Sequence, residues 1–222
     1  MHNNSVAKIY QLNIMRDSIC LMKKNLPFSI ACERNKEPIL SVLKKYVLSN
    51  RKLLEIGHGT GQHAMYLSQE LQVRWFASDL PNNNIILKNR LAQTNNPYLE
   101  EVFSLTIGEK PLDEQTNQKY DYLFTANTFH IMSEDLVRIF CEQAQSVLKK
   151  SAYLFIYGPF KFNGQFTSES NTKFDQILKS KNPLMGIRDF EYIKNLFAAN
   201  HLSFVGLEQL PANNQLLIFQ RN

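Results

Sequence analysis

Cysteine is scarce in this chain, three in 222 residues, and the three stand far apart. Cys20, Cys32 and Cys141 make neither a metal-ligand spacing nor a disulfide framework. No metal is therefore expected, and a reducing cytoplasm is the expected setting. No apolar run approaches the ~20 residues of a membrane-spanning helix. Residues 1–25 show no signal-peptide core and no small-residue cleavage site. Basic residues never form a run of five, although the net charge is +5. That charge is uneven: residues 1–52 hold ten Lys or Arg against three acids, a balance of +7, and the remainder holds fifteen against seventeen, a balance of −2. The separated pairs Lys23-Lys24, Lys44-Lys45 and Arg51-Lys52 read as solvated helix faces, with a nucleic-acid or other acidic partner as the alternative. No internal repeat and no linker is visible. The length suits one α/β domain with its own core.

What the sequence does have is Leu53-Leu54-Glu55-Ile56-Gly57-His58-Gly59-Thr60-Gly61-Gln62-His63. An apolar run with Glu55 near its carboxyl end reads as a buried strand. Three glycines at alternate positions let the backbone take positive φ and lie close to a ligand. The helix starting near Gly61 would aim free N–H groups at the same spot. A dinucleotide fingerprint wants Gly-x-Gly-x-x-Gly, but here the third glycine comes one residue early and Gln62 stands where Gly or Ala belongs. Glu-x-Gly-x-Gly-x-Gly is instead similar to the first motif of class I methyltransferases that use S-adenosylmethionine. Asp79, 22 residues past Gly57 and following the apolar run Val73 to Ala77, stands where an acid ending the second strand would accept bonds from ribose hydroxyls.

The rest of the chain alternates. Residues 5–24 are loosely helical and residues 1–25 read as an N-terminal extension, with Met15 and Met22 as alternative starts. Pro38 suits the first turn of an amphipathic helix, preceded by Arg34 and Asn35, which would cover a cofactor or face substrate. Strands are expected at 53–56, 73–78, 102–107, 120–126 and 152–157, and helices at 62–71, near 85–92, and from the Ser133 cap to Lys149 and Lys150. Residues 108–118 read as polar loop. Strands alternating with helices mean a mostly parallel, doubly wound sheet. Residues 160–186 form a long excursion with a short helix near 171–178, of the kind that walls a site. A helix over 188–199 and strands at 202–209 and 215–220 close the chain. The short joint between those two strands forces an antiparallel hairpin.

Residues 26–222 further resemble a bacterial and animal family of methyltransferase-like proteins whose substrate is generally unassigned. The resemblance rests on the glycine motif and on Cys32-Glu33-Arg34-Asn35-Lys36-Glu37-Pro38-Ile39-Leu40, Ala126-Asn127-Thr128-Phe129-His130-Ile131, Tyr157-Gly158-Pro159-Phe160-Lys161, Ser170-Asn171 with Phe174-Asp175, Gly186-Ile187-Arg188-Asp189, and Pro211-Ala212-Asn213-Asn214. It implies a single Rossmann-like class I methyltransferase domain. Its sheet would be mostly parallel and seven-stranded, with a C-terminal antiparallel hairpin and helices on both faces. It also implies S-adenosylmethionine as ligand. His58 stands where many relatives carry a smaller residue. The amino-methyltransferase signature of Asp or Asn, two prolines and an aromatic after strand four is absent, which argues against adenine or cytosine N-methylation.

Candidate roles follow from position. Glu55, Gly57, Gly59, Gly61, Asp79 and Asn127 would hold the cofactor. His130 is the candidate base, with Tyr157 beside it, and Arg34, Asn35 and Lys161 would lie on the substrate side. The favoured reading is a methyltransferase for a small molecule. Its rivals are a non-catalytic cofactor-binding protein working through a partner, an RNA methyltransferase using the basic N-terminal segment, and a nicotinamide dehydrogenase.

Overall fold

The structure is a computed structural model and describes residues 26–222; the helical reading of 5–24 and the extension over 1–25 lie outside the described residues. The first helix, α1, runs Ile30–Leu43. Strand β1 (Lys52–Ile56), helix α2 (Gln62–Leu71), β2 (Arg74–Asp79), α3 (Pro81–Leu91) and β3 (Leu99–Ser104) follow, then a short α4 (Leu112–Thr116) and β4 (Tyr120–Ala126). Helix α5 (Glu134–Val147) leads into β5 (Leu148–Gly158). Beyond it come β6 (Phe160–Phe162), β7 (Gln165–Phe166), α6 (Glu169–Lys181), β8 (Arg188–Asp189), α7 (Phe190–Ala199), β9 (Leu202–Leu210) and β10 (Asn214–Arg221).

Seven strands form one sheet in the order β3-β2-β1-β4-β5-β10-β9. The first five run parallel, and β10 pairs antiparallel with both β5 and β9. This is the Rossmann-like class I methyltransferase sheet expected above. Alternation along the strands explains the layers. In β1, Leu53 joins the core under α1, α2 and α3, while Leu54 and Ile56 join the opposite core under α4, α5 and α7. Both faces are apolar, so both take helices. The connections out of β1 and β4 leave toward opposite halves of the sheet, so a crevice opens between the carboxyl ends of those two strands.

Several boundaries differ from expectation. Helix α1 starts eight residues before Pro38, because the Ser29 hydroxyl accepts from the Cys32 amide at 3.2 Å and caps it there. Pro38 costs the helix one bond, to the carbonyl of the exposed Arg34. Helix α5 stops at Val147, and Lys149 and Lys150 belong to β5, where Lys149 pairs with Asp121 at 2.8 Å. Strand β3 begins three residues earlier than read, and the polar stretch after it contains α4. Arg188 is in β8 rather than α7, and the Asp189 side chain caps α7. The excursion after β5 is more ordered than its composition suggested: it holds a second sheet, β7-β6-β8, and a 13-residue helix. Among the described residues no helix is long and apolar enough to cross a membrane.

The core under α5 and α7 is aromatic. Phe197, fully buried, sits 4.5 Å from Phe219 and 6.5 Å from Phe140 between ring centroids. Phe197→Ala should cost ~3–5 kcal/mol, read in urea as a lower midpoint with an unchanged slope; a loss below ~1 kcal/mol would mean that this cluster is not the packing centre of that face.

Candidate functional site

The glycine turn is built from left-handed backbone. Gly57, Gly59 and Gly61 have φ of 80°, 55° and 75°, a region that costs an L-residue with a Cβ about 1–2 kcal/mol. The neighbours add a second demand. A Cβ on Gly57 would lie 2.9 Å from Thr128 Oγ1, and one on Gly61 would lie 2.5 Å from Leu87 Cδ1. A Cβ on Gly59 would meet nothing within 4 Å, so this glycine presents bare backbone to open space. The loop after β4 thus rests on the first glycine, α3 on the third, and the middle one is free to meet a ligand.

Asp79, at the carboxyl end of β2, closes the turn. Its Oδ2 accepts from the Gly59 amide at 2.7 Å, and its Oδ1 accepts from the Leu80 amide at 2.7 Å and Asn83 Nδ2 at 2.9 Å. Three donors occupy a carboxylate with about four acceptor sites. His58 is buried beneath the turn, with Nε2 2.8 Å from Asn84 Oδ1, which explains how a large residue fits there. Gln62, the residue that breaks the dinucleotide fingerprint, is a clamp. Its Oε1 accepts from the Ser29 amide at 2.6 Å and the Thr60 hydroxyl at 3.0 Å, and its Nε2 donates to the Ser29 carbonyl at 3.2 Å. The start of α1 is thereby tied over the glycine turn.

Glu55 is fully buried on the α1–α3 face of the sheet. Its Oε2 accepts from the Trp75 indole at 2.9 Å and its Oε1 has no partner. Burial pushes its pKa up to about 8, against the Trp75 bond, with Asp79 raising it further. At neutral pH this group is mainly a neutral carboxylic acid under the turn, with an unspent oxygen.

The ends of β4 and β5 supply the other wall. Asn127 takes left-handed backbone, φ 58°, and its amide donates to the Tyr157 carbonyl at 2.8 Å. His130 is buried, its ring edge-on to Phe174 at 5.2 Å between centroids. Its Nδ1 lies 3.8 Å from where a Cβ on Gly158 would stand. Burial, helped by the nearby Arg188 charge, lowers its pKa to about 4. Tyr157 is buried and its pKa is raised, chiefly by burial, against the lowering action of the Asn35 and Asn214 carboxamides.

The structure therefore brings Gly57, Gly59, Gly61, Asp79, Asn127, His130, Tyr157 and Asn35 to one crest, with Glu55 just below it. Arg34 stays on the exposed side of α1. Lys161 is held in the small sheet, its ammonium over the Phe166 ring at 5.7 Å. A cleft of ~260 Å³ between α1, α2 and α3, lined by Phe28, Lys36, Tyr66 and Arg90 among others, contains none of the candidate residues.

Sequence reasoning passed over several supports. Arg188 donates from its guanidinium to the carbonyls of Phe129, Met132 and Leu184, and so fixes the loop that carries His130. Arg90 Nε donates to the Thr60 carbonyl at 3.0 Å. No local pattern marks either, because Arg90 acts on Thr60 and Arg188 on Phe129 and Met132, all distant in sequence. Asn83 and Asn84 were legible in principle: they follow Asp79 by four and five residues, one helical turn on.

Two measurements test this geometry. Gly61→Ala combines backbone strain with overpacking against Leu87 and should cost ~2–4 kcal/mol, whereas Gly59→Ala should cost only the strain, ~1–2 kcal/mol; equal losses in thermal melts would contradict the turn. The raised pKa of Glu55 means that the folded state holds a proton which the unfolded state has lost between about pH 4.5 and 8. This group's stabilisation is therefore full at the acid end of that window and falls as pH rises, by up to ~1.4 kcal/mol per unit. Glu55→Gln should remove that part of the slope. If wild type and variant change in parallel from pH 5 to 8, Glu55 is not buried in this way.

Comparison with solved structures bears on the fold. Residues of this chain superpose on an O-methyltransferase family 2 protein from Planctomyces limnophilus, solved with apigenin, at a TM-score of 0.69 and 18% identity, covering 78% of this chain and 52% of that one. An O-methyltransferase family protein from Burkholderia thailandensis gives 0.74 and 15%, covering 86% and 57%. PigF, solved with SAH, gives 0.69 and 12%, covering 83% and 55%. The chain spans little more than half the length of these proteins, and at such identities the likeness is one of fold. Family membership is more direct: residues 26–221 match the family described as "Protein of unknown function (DUF938)", and the chain belongs to it.

Proposed function

We propose that this chain is an S-adenosylmethionine-dependent methyltransferase acting on a small molecule, with residues 26–222 forming the single unit that does so. The observation that carries this reading is the crest itself. A bare left-handed Gly59 stands beside a carboxylate, Asp79, that retains acceptor capacity, both at the point where the strand order reverses. The residues present fit the donor. The turn admits close backbone approach, Asp79 suits sugar hydroxyls, and the unpartnered Glu55 oxygen and the Asn127 side chain lie at the end of β1 and β4 where the amino-acid portion would rest. Support from other proteins is by analogy: SAH is held by PigF and apigenin by the Planctomyces protein on the same fold.

The bound donor supplies an already activated methyl group on a sulfonium sulfur. What this chain adds is alignment and exclusion of water. Helix α1, clamped by Gln62, forms a roof. The stretch after β5, with α6 packed on the β9–β10 turn through Asn171 Nδ2 to the Asn213 carbonyl at 3.1 Å, forms a side wall. His130, with its pKa near 4, is neutral at pH 7 and a weak proton acceptor. Tyr157, its pKa raised chiefly by burial, stays protonated and keeps an O–H to donate. The acceptor is accordingly one whose nucleophilic atom needs orientation more than deprotonation. The low basicity of His130 also favours a second reading, a protein that holds the donor without turning it over. The RNA reading leans on the basic residues 1–52, of which 1–25 lie outside the described residues.

Calorimetry should show saturable S-adenosylmethionine binding, none of a nicotinamide dinucleotide, and at least a tenfold loss, ~1.4 kcal/mol, in Asp79→Ala; no binding at millimolar donor would overturn the proposal. Incubation with methyl-labelled donor and a metabolite extract should then yield a labelled product, whereas binding without product would select the second reading.

A further inference from the structure

The His130 side of the crest is braced by two charges, and both are committed to backbone. Asp175 of α6 is buried; its Oδ1 accepts from the Ile187 amide at 2.7 Å and its Oδ2 pairs with Lys179 at 2.7 Å. The neighbouring Gly186 amide donates to the His130 carbonyl at 3.0 Å. Arg188 donates to the carbonyls of Phe129 at 3.2 Å, of Leu184 at 2.7 Å and of Met132. Two of those carbonyls lie one residue before His130 and two residues after it. Proton uptake by this imidazole, itself packed edge-on to Phe174 at 5.2 Å, would set a second positive charge close to the guanidinium in a place with little water. Among the described residues no carboxylate bonds the His130 ring to offset that cost. Its pKa near 4 agrees with this geometry.

The mouth beside this wall is apolar. Ile131 adjoins His130 and is 51% exposed, and Leu184, 63% exposed, belongs to the segment that Arg188 ties to the same loop. Ile30, 62% exposed, opens α1 one residue past Ser29, which Gln62 ties to the glycine turn. Burying a side chain of this size fully is worth ~1.5–3 kcal/mol, so the three together favour a hydrocarbon ligand over a charged one.

We propose that the methyl acceptor is an apolar thiol: Ile30, Ile131 and Leu184 receive its hydrocarbon part, and its sulfur meets the donor methyl on the His130 side of the crest. This rests on the methyltransferase reading and names the substrate class for the same site. A wall whose imidazole is held neutral selects a nucleophile that loses its proton unaided. A thiol of pKa about 8.5 is ~3% thiolate at pH 7, against ~0.1% ionised for a phenol of pKa about 10. The thiol proton passes to water. The thiolate lone pair then forms the new S–C bond as the methyl–sulfonium bond breaks, and that bonding pair stays on the donor sulfur. The products are a methyl thioether and S-adenosylhomocysteine. Thiolate and sulfonium charges cancel in this step, and their attraction is strongest in a low-dielectric chamber.

The test uses the full chain, methyl-labelled S-adenosylmethionine, and benzenethiol, phenol or the charged thiol glutathione as acceptor, each measured above its enzyme-free rate. Benzenethiol should be labelled with a kcat/KM at least ~10-fold above the other two. Faster labelling of phenol or of glutathione overturns the proposal. The pH dependence separates acceptor from protein: the midpoint of kcat/KM should move up when benzenethiol is replaced by the less acidic phenylmethanethiol, because the ionising group is the acceptor's own. One midpoint shared by both thiols would reveal a base in the protein and refute the proposal. A readout without turnover is calorimetry of methyl phenyl sulfide on protein loaded with S-adenosylhomocysteine. Ile131→Glu and Leu184→Glu, both at exposed positions, should weaken that binding about tenfold and leave donor affinity at the wild-type value. Unchanged sulfide binding in both variants contradicts the apolar mouth. Donor binding with no thiol labelled would sink this inference alone, whereas absence of donor binding would sink the methyltransferase reading itself.

Discussion

Three left-handed glycines at the end of β1 are the constraint on which the crest depends. Positive φ at alternate positions bends the chain sharply, and the space around each is already used. Thr128 fills the room beside Gly57, and Leu87 fills that beside Gly61. The turn is therefore shaped by its neighbours as much as by its own backbone freedom. Asp79 completes it by accepting from the Gly59 amide, which joins the carboxyl ends of β1 and β2 through a charge-assisted bond. Gln62 extends the same structure upward, since it binds the amide and the carbonyl of Ser29 and ties the start of α1 to the turn.

The electrostatics of the site follow from burial. A carboxyl at Glu55 and imidazoles at His63 and His130 all sit in the interior or at its margin, and each is pushed toward its neutral form. The site is thus rich in neutral hydrogen-bonding groups and short of a strong base. Such an environment suits a reaction in which the leaving group is already activated and the protein's contribution is geometry. The guanidinium of Arg188 is spent on backbone carbonyls and braces the His130 loop.

Much of the molecule was legible in the sequence. The bounds of α2 and β4, the cap at Ser133 and the antiparallel hairpin all emerge from local chemistry, namely capping side chains, apolar period and a short joint. Two of the differences share one cause. Pro38 looked like a helix start because its own preferences say so, but the Ser29 cap and the clamp from Gln62 outweigh them. Lys149 and Lys150 looked like a helix end and are in β5, where Lys149 pairs with Asp121 from β4. In both cases a partner distant in the chain overrode a local signal.

The sequence alone determined the order of the seven main strands, the place of the glycine turn and the acid at the end of β2, because these depend on side-chain period and on backbone freedom at single residues. Only the tertiary structure decided what the polar residues do. Asn35 and Lys161 were equal candidates on paper; folding sends one to meet His63 beneath the roof of the site and commits the other to a small sheet against Phe166. The reason is that a polar side chain takes its role from the partner it finds: that of Asn35 stands on another helix, and that of Lys161 is brought opposite it by the pairing of β6 with β7.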